Sequence, residues 1–138
     1  ELCALVSSLG ERPIKQNFAV TGSVNQFGEV QPVGGVNEKI EGFFDACEIL
    51  GLTGEQAVIL PSTNQINLML SKKVRDAIKA KRFHIYTVER VDEALELLLG
   101  EHPGVKDKDG NYPVRSMYGS ILQKFDALRT AENEQEGA

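Results

Sequence analysis

Apolar positions change period several times along the chain, and each change marks a new element. Leu2, Leu5, Val6 and Leu9 recur at helical spacing and Gly10 ends the run, which predicts the rear part of a buried helix. Glu11 to Gln16 is a link containing Pro13. Phe18, Val20 and Gly22 then alternate as in a strand. A turn at Gln26-Phe27-Gly28 and a second strand over Glu29 to Val33 complete a predicted β-hairpin. From Asn37 the pattern changes period, with Val36, Ile40, Phe43, Phe44, Cys47 and Leu50 on one helical face and Gly51 as the stop. Gln56 to Leu60 reads as a short apolar strand closed by Pro61. Asn67 to Lys81 reads as a helix with Leu68, Val74 and Ile78 inward, and Phe83 to Val88 as a strand rich in β-formers. Val91 to Leu99 is a predicted helix with Ala94, Leu95 and Leu98 inward. Helices alternate with strands after Gly35, which favours layers with some parallel pairing, and the early hairpin makes the fold class α+β. Residues 1–100 form the main domain and 101–115 a polar linker. The segment 116–138 is a C-terminal amphipathic helix over Ser116 to Glu132 (Met117, Ile121, Leu122, Phe125 and Leu128 on one face) followed by a flexible Glu-rich tail. That stripe is expected to dock on its own domain, with a partner subunit as the alternative.

Composition narrows the classes. A hydrophobic share of 41% beside a charged share of 25% is that of an ordinary soluble globule. Net charge is −5 and no basic run occurs, so no nucleic-acid or anionic-lipid partner is expected. No long apolar run suggests a membrane, and a cytoplasmic location is expected. Cys3 and Cys47 stand apart in apolar helical contexts and read as buried free thiols. CxxC and HExxH patterns are absent and His84 lies far from His102, so no metal site is expected. No phosphate-binding loop is present, so no cofactor is expected in this chain. The first residue is Glu, opening into a helical pattern without a capping residue, which suggests a piece of a longer polypeptide whose start cuts through a helix.

One lysine carries the candidate chemistry. Lys39 follows the Gly34-Gly35 pair, where a loop turns into a helix. Aligned peptide dipoles put partial positive charge at a helix start, which disfavours an ammonium there, as does burial. A neutral amine is a base, and populating it near neutral pH takes about 4 kcal/mol from the surroundings. Shielding of Lys39 from water, against Phe43 or Phe44, is therefore expected. Glu38, Glu41 and Asp45 read as solvated helix carboxylates.

The stretch Val20 to Ile40 also resembles the proteolytic domain of Lon proteases. The resemblance rests on Thr21-Gly22, Gly28-Glu29-Val30, Pro32-Val33-Gly34-Gly35 and Glu38-Lys39, in matching order and spacing, and extends from about Glu1 to Leu99. It implies a serine endopeptidase domain with a Ser-Lys dyad, in which Lys39 is the general base and Thr21 contacts its amine. Gly22, Ser23, Gly34 and Gly35 are the implied positioning residues; Ser23 stands where better-known members carry an acidic residue. Counting back from Lys39 places the family's serine upstream of Glu1, while Ser7 and Ser8 fall too late in the first helix. This chain alone is accordingly expected to be inactive. The resemblance further implies unfolded polypeptide substrates, ATP bound at a separate ATPase module, and a homo-oligomeric, possibly hexameric, ring. The alternative is a non-catalytic Lon-like scaffold of a ring-forming ATPase, in which Lys39 is a relic. An unrelated α+β binding protein would require the whole pattern to be accidental.

Overall fold

The computed structural model describes residues 1–136. In chain order the elements are α1 (Leu2–Gly10), β1 (Phe18–Val20), β2 (Ser23–Val24), β3 (Val30–Gln31), α2 (Val36–Leu50), β4 (Ala57–Pro61), a 3-10 segment (Ser62–Asn67), α3 (Lys72–Lys79), β5 (His84–Val88), α4 (Val91–Leu99) and α5 (Met117–Glu136). The fold is α+β. The backbone forms two compact units, one of Lys15–Ala94 and one of Glu1–Ile14 together with the chain from Leu95 onward.

In the Lys15–Ala94 unit, β1, β4 and β5 make a three-stranded sheet in the order β1-β4-β5. Both pairings are parallel, with Phe18 opposite Ala57 and Ala57 opposite His84. Every residue of β4 is buried, as a central parallel strand covered on both faces requires. Val58 and Leu60 pack against Val36, Ile40 and Phe44 of α2, Val74 and Ala77 of α3, and Phe83. Phe83 meets Phe44 edge to face, with ring centroids 5.1 Å apart. Such a pair adds about 0.5–1.5 kcal/mol beyond the area it buries.

The hairpin exists and its second arm lies within the expected Glu29 to Val33, but its first arm is not the expected one. β2 and β3 pair antiparallel, Ser23 with Gln31 and Val24 with Val30, while Phe18–Val20 joins the parallel sheet instead. Beside β4, Phe18 and Ala19 are each partly buried, whereas both residues of the hairpin arm β2 are exposed. Asn25 builds the turn, its Oδ1 accepting from the backbone N–H of Phe27 and Glu29. The hairpin is strapped to the β5–α4 junction: Val30 N–H donates to Glu89 O (2.8 Å), Val91 N–H to Gly28 O (2.9 Å), and the Arg90 guanidinium to Phe27 O (2.9 Å).

The helix expected from Asn67 begins only at Lys72. Side chains of α2 take the backbone groups that a longer helix would use. Asn37 Nδ2 donates to Asn67 O, Asn37 Oδ1 accepts from Met69 N–H, and Glu41 Oε1 accepts from Ser71 N–H. Glu41 is thus a half-buried tether rather than a solvated carboxylate. Asp45 is exposed as expected and pairs with Lys73 at 3.2 Å. Leu50, expected on the inner face of α2, is 88% exposed because it lies beyond the last core turn at Cys47.

In the other unit, Gly10 is the only fully buried residue of α1, so this helix is not the buried one its apolar spacing suggested. A Cβ at Gly10 would sit 2.8 Å from Met117 Cγ, and one at Gly119 only 2.0 Å from Pro113 O. The 101–115 segment contains neither helix nor strand, yet it is held: Tyr118 N–H donates to Pro103 O, and the Tyr112 and Tyr118 rings lie 5.1 Å apart. Arg12 bonds Glu101 and the carbonyl of Arg115. Met117 and Ile121 of α5 are buried, whereas Leu122, Phe125 and Leu128 of the same expected stripe are exposed. The helix runs on past Glu132 to Glu136; the tail expectation for residues 137–138 lies outside the described residues.

Candidate active site

The site is assembled at the carboxyl end of β4. Thr21 follows β1 directly, and its backbone N–H donates to Ile59 O at 3.0 Å, which fixes it against the central strand. Gly22 comes next; a Cβ there would lie 3.3 Å from Val30 Cγ1 and 3.4 Å from Pro61 Cγ, a close approach that would press on the Val30 side chain. Ser23 is exposed on β2 opposite Gln31.

Across from Thr21, Gly35 caps the start of α2 with φ 66°, a left-handed conformation that glycine adopts without strain. Gly34 has no such constraint: a Cβ there would meet nothing within 4 Å. Lys39 is in the first turn of α2, with its backbone N–H donating to Gly35 O at 3.1 Å. Its Nζ donates to Thr21 Oγ1 at 3.2 Å. Glu38 beside it is exposed, where a carboxylate suits the positive pole of the helix.

Two residues eighteen positions apart are therefore joined as expected, but the expected shielding is not found. The Lys39 side chain is exposed and Thr21 half-buried. Phe43 and Phe44, expected to cover the amine, pack instead on Phe83, at 6.1 and 5.1 Å between centroids. Phe44 belongs to the hydrophobic core, with Phe43 packed against it, and the lysine stays exposed.

One residue of the site is not singled out by the sequence. Asn64, in the 3-10 segment after β4, is buried at 4% relative exposure. Its Oδ1 accepts from Val33 N–H and its Nδ2 donates to Val33 O, both at 3.0 Å. Ser62-Thr63-Asn64-Gln65 reads as an ordinary polar turn, and nothing in it distinguishes the amide that points inward.

Other nucleophile and ligand chemistries have little support. Cys3 and Cys47 are both free, with Cys47 buried and Cys3 only partly so. Burial pushes both thiols up, away from the thiolate that nucleophilic chemistry needs. His84 Nε2 lies 2.8 Å from Gly54 O, a structural contact. Among the described residues no cluster of three or more His, Cys, Asp or Glu could hold a metal ion. None of their helices is long and apolar enough to cross a membrane.

The sheet, the helix start after a glycine pair and the Thr21–Lys39 contact define a class: an α+β domain presenting a lysine amine from the first turn of a helix. Comparison with known families places it further. Residues 2–101 match the Lon protease (S16) C-terminal proteolytic domain, so the chain belongs to the Lon proteolytic-domain family. It is 43% identical over 132 residues to a putative Lon protease homolog of Haemophilus influenzae, covering 96% of this chain and 22% of that protein. It is 52% identical over 99 residues to a putative Lon protease homolog of Escherichia coli, covering 72% of this chain and 17% of that protein. An archaeal Lon protease of Pyrococcus abyssi is 40% identical over 104 residues, 75% of this chain and 9% of that protein. The chain thus spans about a fifth or less of the length of these curated relatives. The family match ends at residue 101, but the Haemophilus match takes in most of the linker and α5 as well. The C-terminal segment, outside the resemblance read from the motifs, is therefore shared with at least one relative.

Proposed function

We propose that this chain is the base-bearing part of a serine endopeptidase domain that hydrolyses peptide bonds of unfolded polypeptides through a Ser-Lys dyad. The observation that carries this reading is the Lys39 Nζ to Thr21 Oγ1 hydrogen bond, made from the first turn of α2. A neutral amine has two N–H donors and one lone pair. With one N–H directed to Thr21, the lone pair is free to take the proton of a serine hydroxyl. The serine is supplied by a segment upstream of Glu1. Its oxygen attacks the peptide carbonyl, Lys39 takes the hydroxyl proton and passes it to the departing amine, and backbone N–H groups stabilise the oxyanion. Water, activated by the same amine, then releases the acyl group. ATP is bound by a separate module that unfolds substrate, and the domains form a homo-oligomeric ring in the cytoplasm.

The exposure of Lys39 favours a second reading, a non-catalytic scaffold of the same fold in which the lysine is a surface cation. Proteolysis of an unfolded polypeptide by the intact protein separates the two. Lys39→Gln is expected to abolish turnover with the fold retained, and Thr21→Val to lower it. Full activity in Lys39→Gln would exclude Lys39 as the base, and no activity in the intact wild-type protein would favour the scaffold.

A further inference from the structure

We infer that Asn64 is a positioning residue for the reaction, holding Lys39 at Thr21 by fixing the point where α2 begins. This rests on the dyad reading above. The segment between β3 and α2 is Pro32-Val33-Gly34-Gly35. Pro32 has no N–H to donate, and the two glycines bring no side chains and wide backbone freedom. Left to itself, such a segment would let the helix start wander. Both main-chain polar groups of Val33 are instead taken by one side chain, the buried amide of Asn64. The two hydrogen bonds form a planar clamp that sets the position and the rotation of the Val33 peptide groups. Gly35, two residues on, caps α2, and Lys39 leaves its first turn.

The other half of the contact is fixed from the same place. Thr21 is tied through its backbone to Ile59 of β4, and Asn64 lies three residues beyond the end of β4 at Pro61. One continuous stretch, Ile59 to Asn64, thus fixes both Thr21 and the start of the helix carrying Lys39. The arrangement explains why the buried polar side chain among the described residues is an amide, since only a group that both donates and accepts can hold the N–H and the C=O of one residue. It also explains how an exposed lysine stays aligned without a packed pocket around it.

The test uses the intact protease polypeptide carrying this domain together with its serine. Asn64→Leu removes both hydrogen bonds, and Asn64→Asp keeps the acceptor for Val33 N–H but, when ionised, loses the donor to Val33 O. Each variant is assayed for kcat, KM and pH profile on an unfolded substrate, and amide exchange at Val33 and Lys39 is followed alongside. A clamp that positions the base predicts a roughly 10- to 100-fold loss of kcat with KM nearly unchanged, the scale of loss that slight misplacement of a reacting group brings. Faster exchange at Val33 accompanies it, and the kcat deficit of Asn64→Asp relative to wild type at the same pH narrows as pH falls and the carboxyl regains a proton to donate. Wild-type kcat and pH profile in either folded variant would overturn the inference. Should Asn64→Leu fail to fold, Asn64→Asp decides by the same criterion. Lys39→Gln, assayed in parallel, separates the two levels: if that variant keeps full turnover the dyad reading fails, whereas if it is inactive while Asn64→Asp is fully active only the clamp fails.

Discussion

The two compact units solve burial differently. In Lys15–Ala94 the centre is closed: β4 is buried along its whole length, and Phe44 and Phe83 are covered completely. In the unit of Glu1–Ile14 and the chain from Leu95 onward, the stripe of α5 is covered at Met117 and Ile121 and bare at Leu122, Phe125 and Leu128. Helical spacing of apolar residues thus announces a helix in both units, but burial only where a partner surface lies opposite: Leu95 and Leu98 are covered, whereas Leu50 and the later part of the α5 stripe are not. What differs is the partner. A parallel strand with helices over it offers a broad surface, whereas the end of α1 at Gly10 meets α5 at Met117 and Ile121, with Glu11 paired to Lys124 at the rim.

Four substitutions sharpen or break this contrast. The largest effect belongs to the sheet unit. Phe83→Ala removes the centre of its core and is expected to cost about 3–5 kcal/mol in urea unfolding. A loss below 1 kcal/mol would mean that the core is not organised around that ring. Next is Gly119→Ala, whose new methyl would overlap Pro113 O and force the 101–115 segment off α5. Overpacking of this kind costs about 1–3 kcal/mol, and an unchanged melting temperature would show that the segment yields freely.

Glu93→Ala follows. The Glu93 carboxylate accepts from the backbone N–H of Glu89 (2.6 Å) and Arg90 (3.0 Å), reaching back over the start of α4 as a capping residue does. Losing it is expected to cost about 1 kcal/mol. These same bonds, that from Arg90 first, hold the Glu93 carboxyl below the usual carboxylate range. The folded value lies below the unfolded one, so the stabilisation is full above the ordinary carboxylate range and is lost as pH falls through the folded value. The gap between wild type and Glu93→Ala should therefore narrow on acidification; a gap that widens would reverse the assignment. The smallest effect is expected at Leu128, 62% exposed on α5, where Leu128→Ala should change stability by less than about 0.5 kcal/mol. A larger loss would show that the bare part of the stripe is covered in solution.

Much of the fold could be read from residue spacing. Helices α2 and α4 begin and end where their apolar periods and glycines place them. Failures occurred where a side chain distant in sequence took over backbone hydrogen bonds. Asn37 and Glu41 hold residues 67–71 out of a helix, and β4 draws Phe18–Val20 away from the hairpin. Neither competition has a local signature. The candidate site follows the same division. Thr21 and Lys39 were legible because family spacing marks them, and they meet at 3.2 Å. Asn64 was not, because its role depends on a contact across thirty-one residues. The solvent exposure of Lys39 was missed for a related reason: the neighbouring phenylalanines were assigned to the amine, but the sheet claims them.

The central claim is that the amine presented at Thr21 takes a proton from a serine. The most direct measurement is the rate at which the serine of the intact protein is acylated by a peptide ester, compared between wild type and Lys39→Gln under single-turnover conditions. Loss of the general base is expected to slow acylation by at least about 100-fold while the variant keeps its folded stability. Acylation of Lys39→Gln at the wild-type rate would contradict the account.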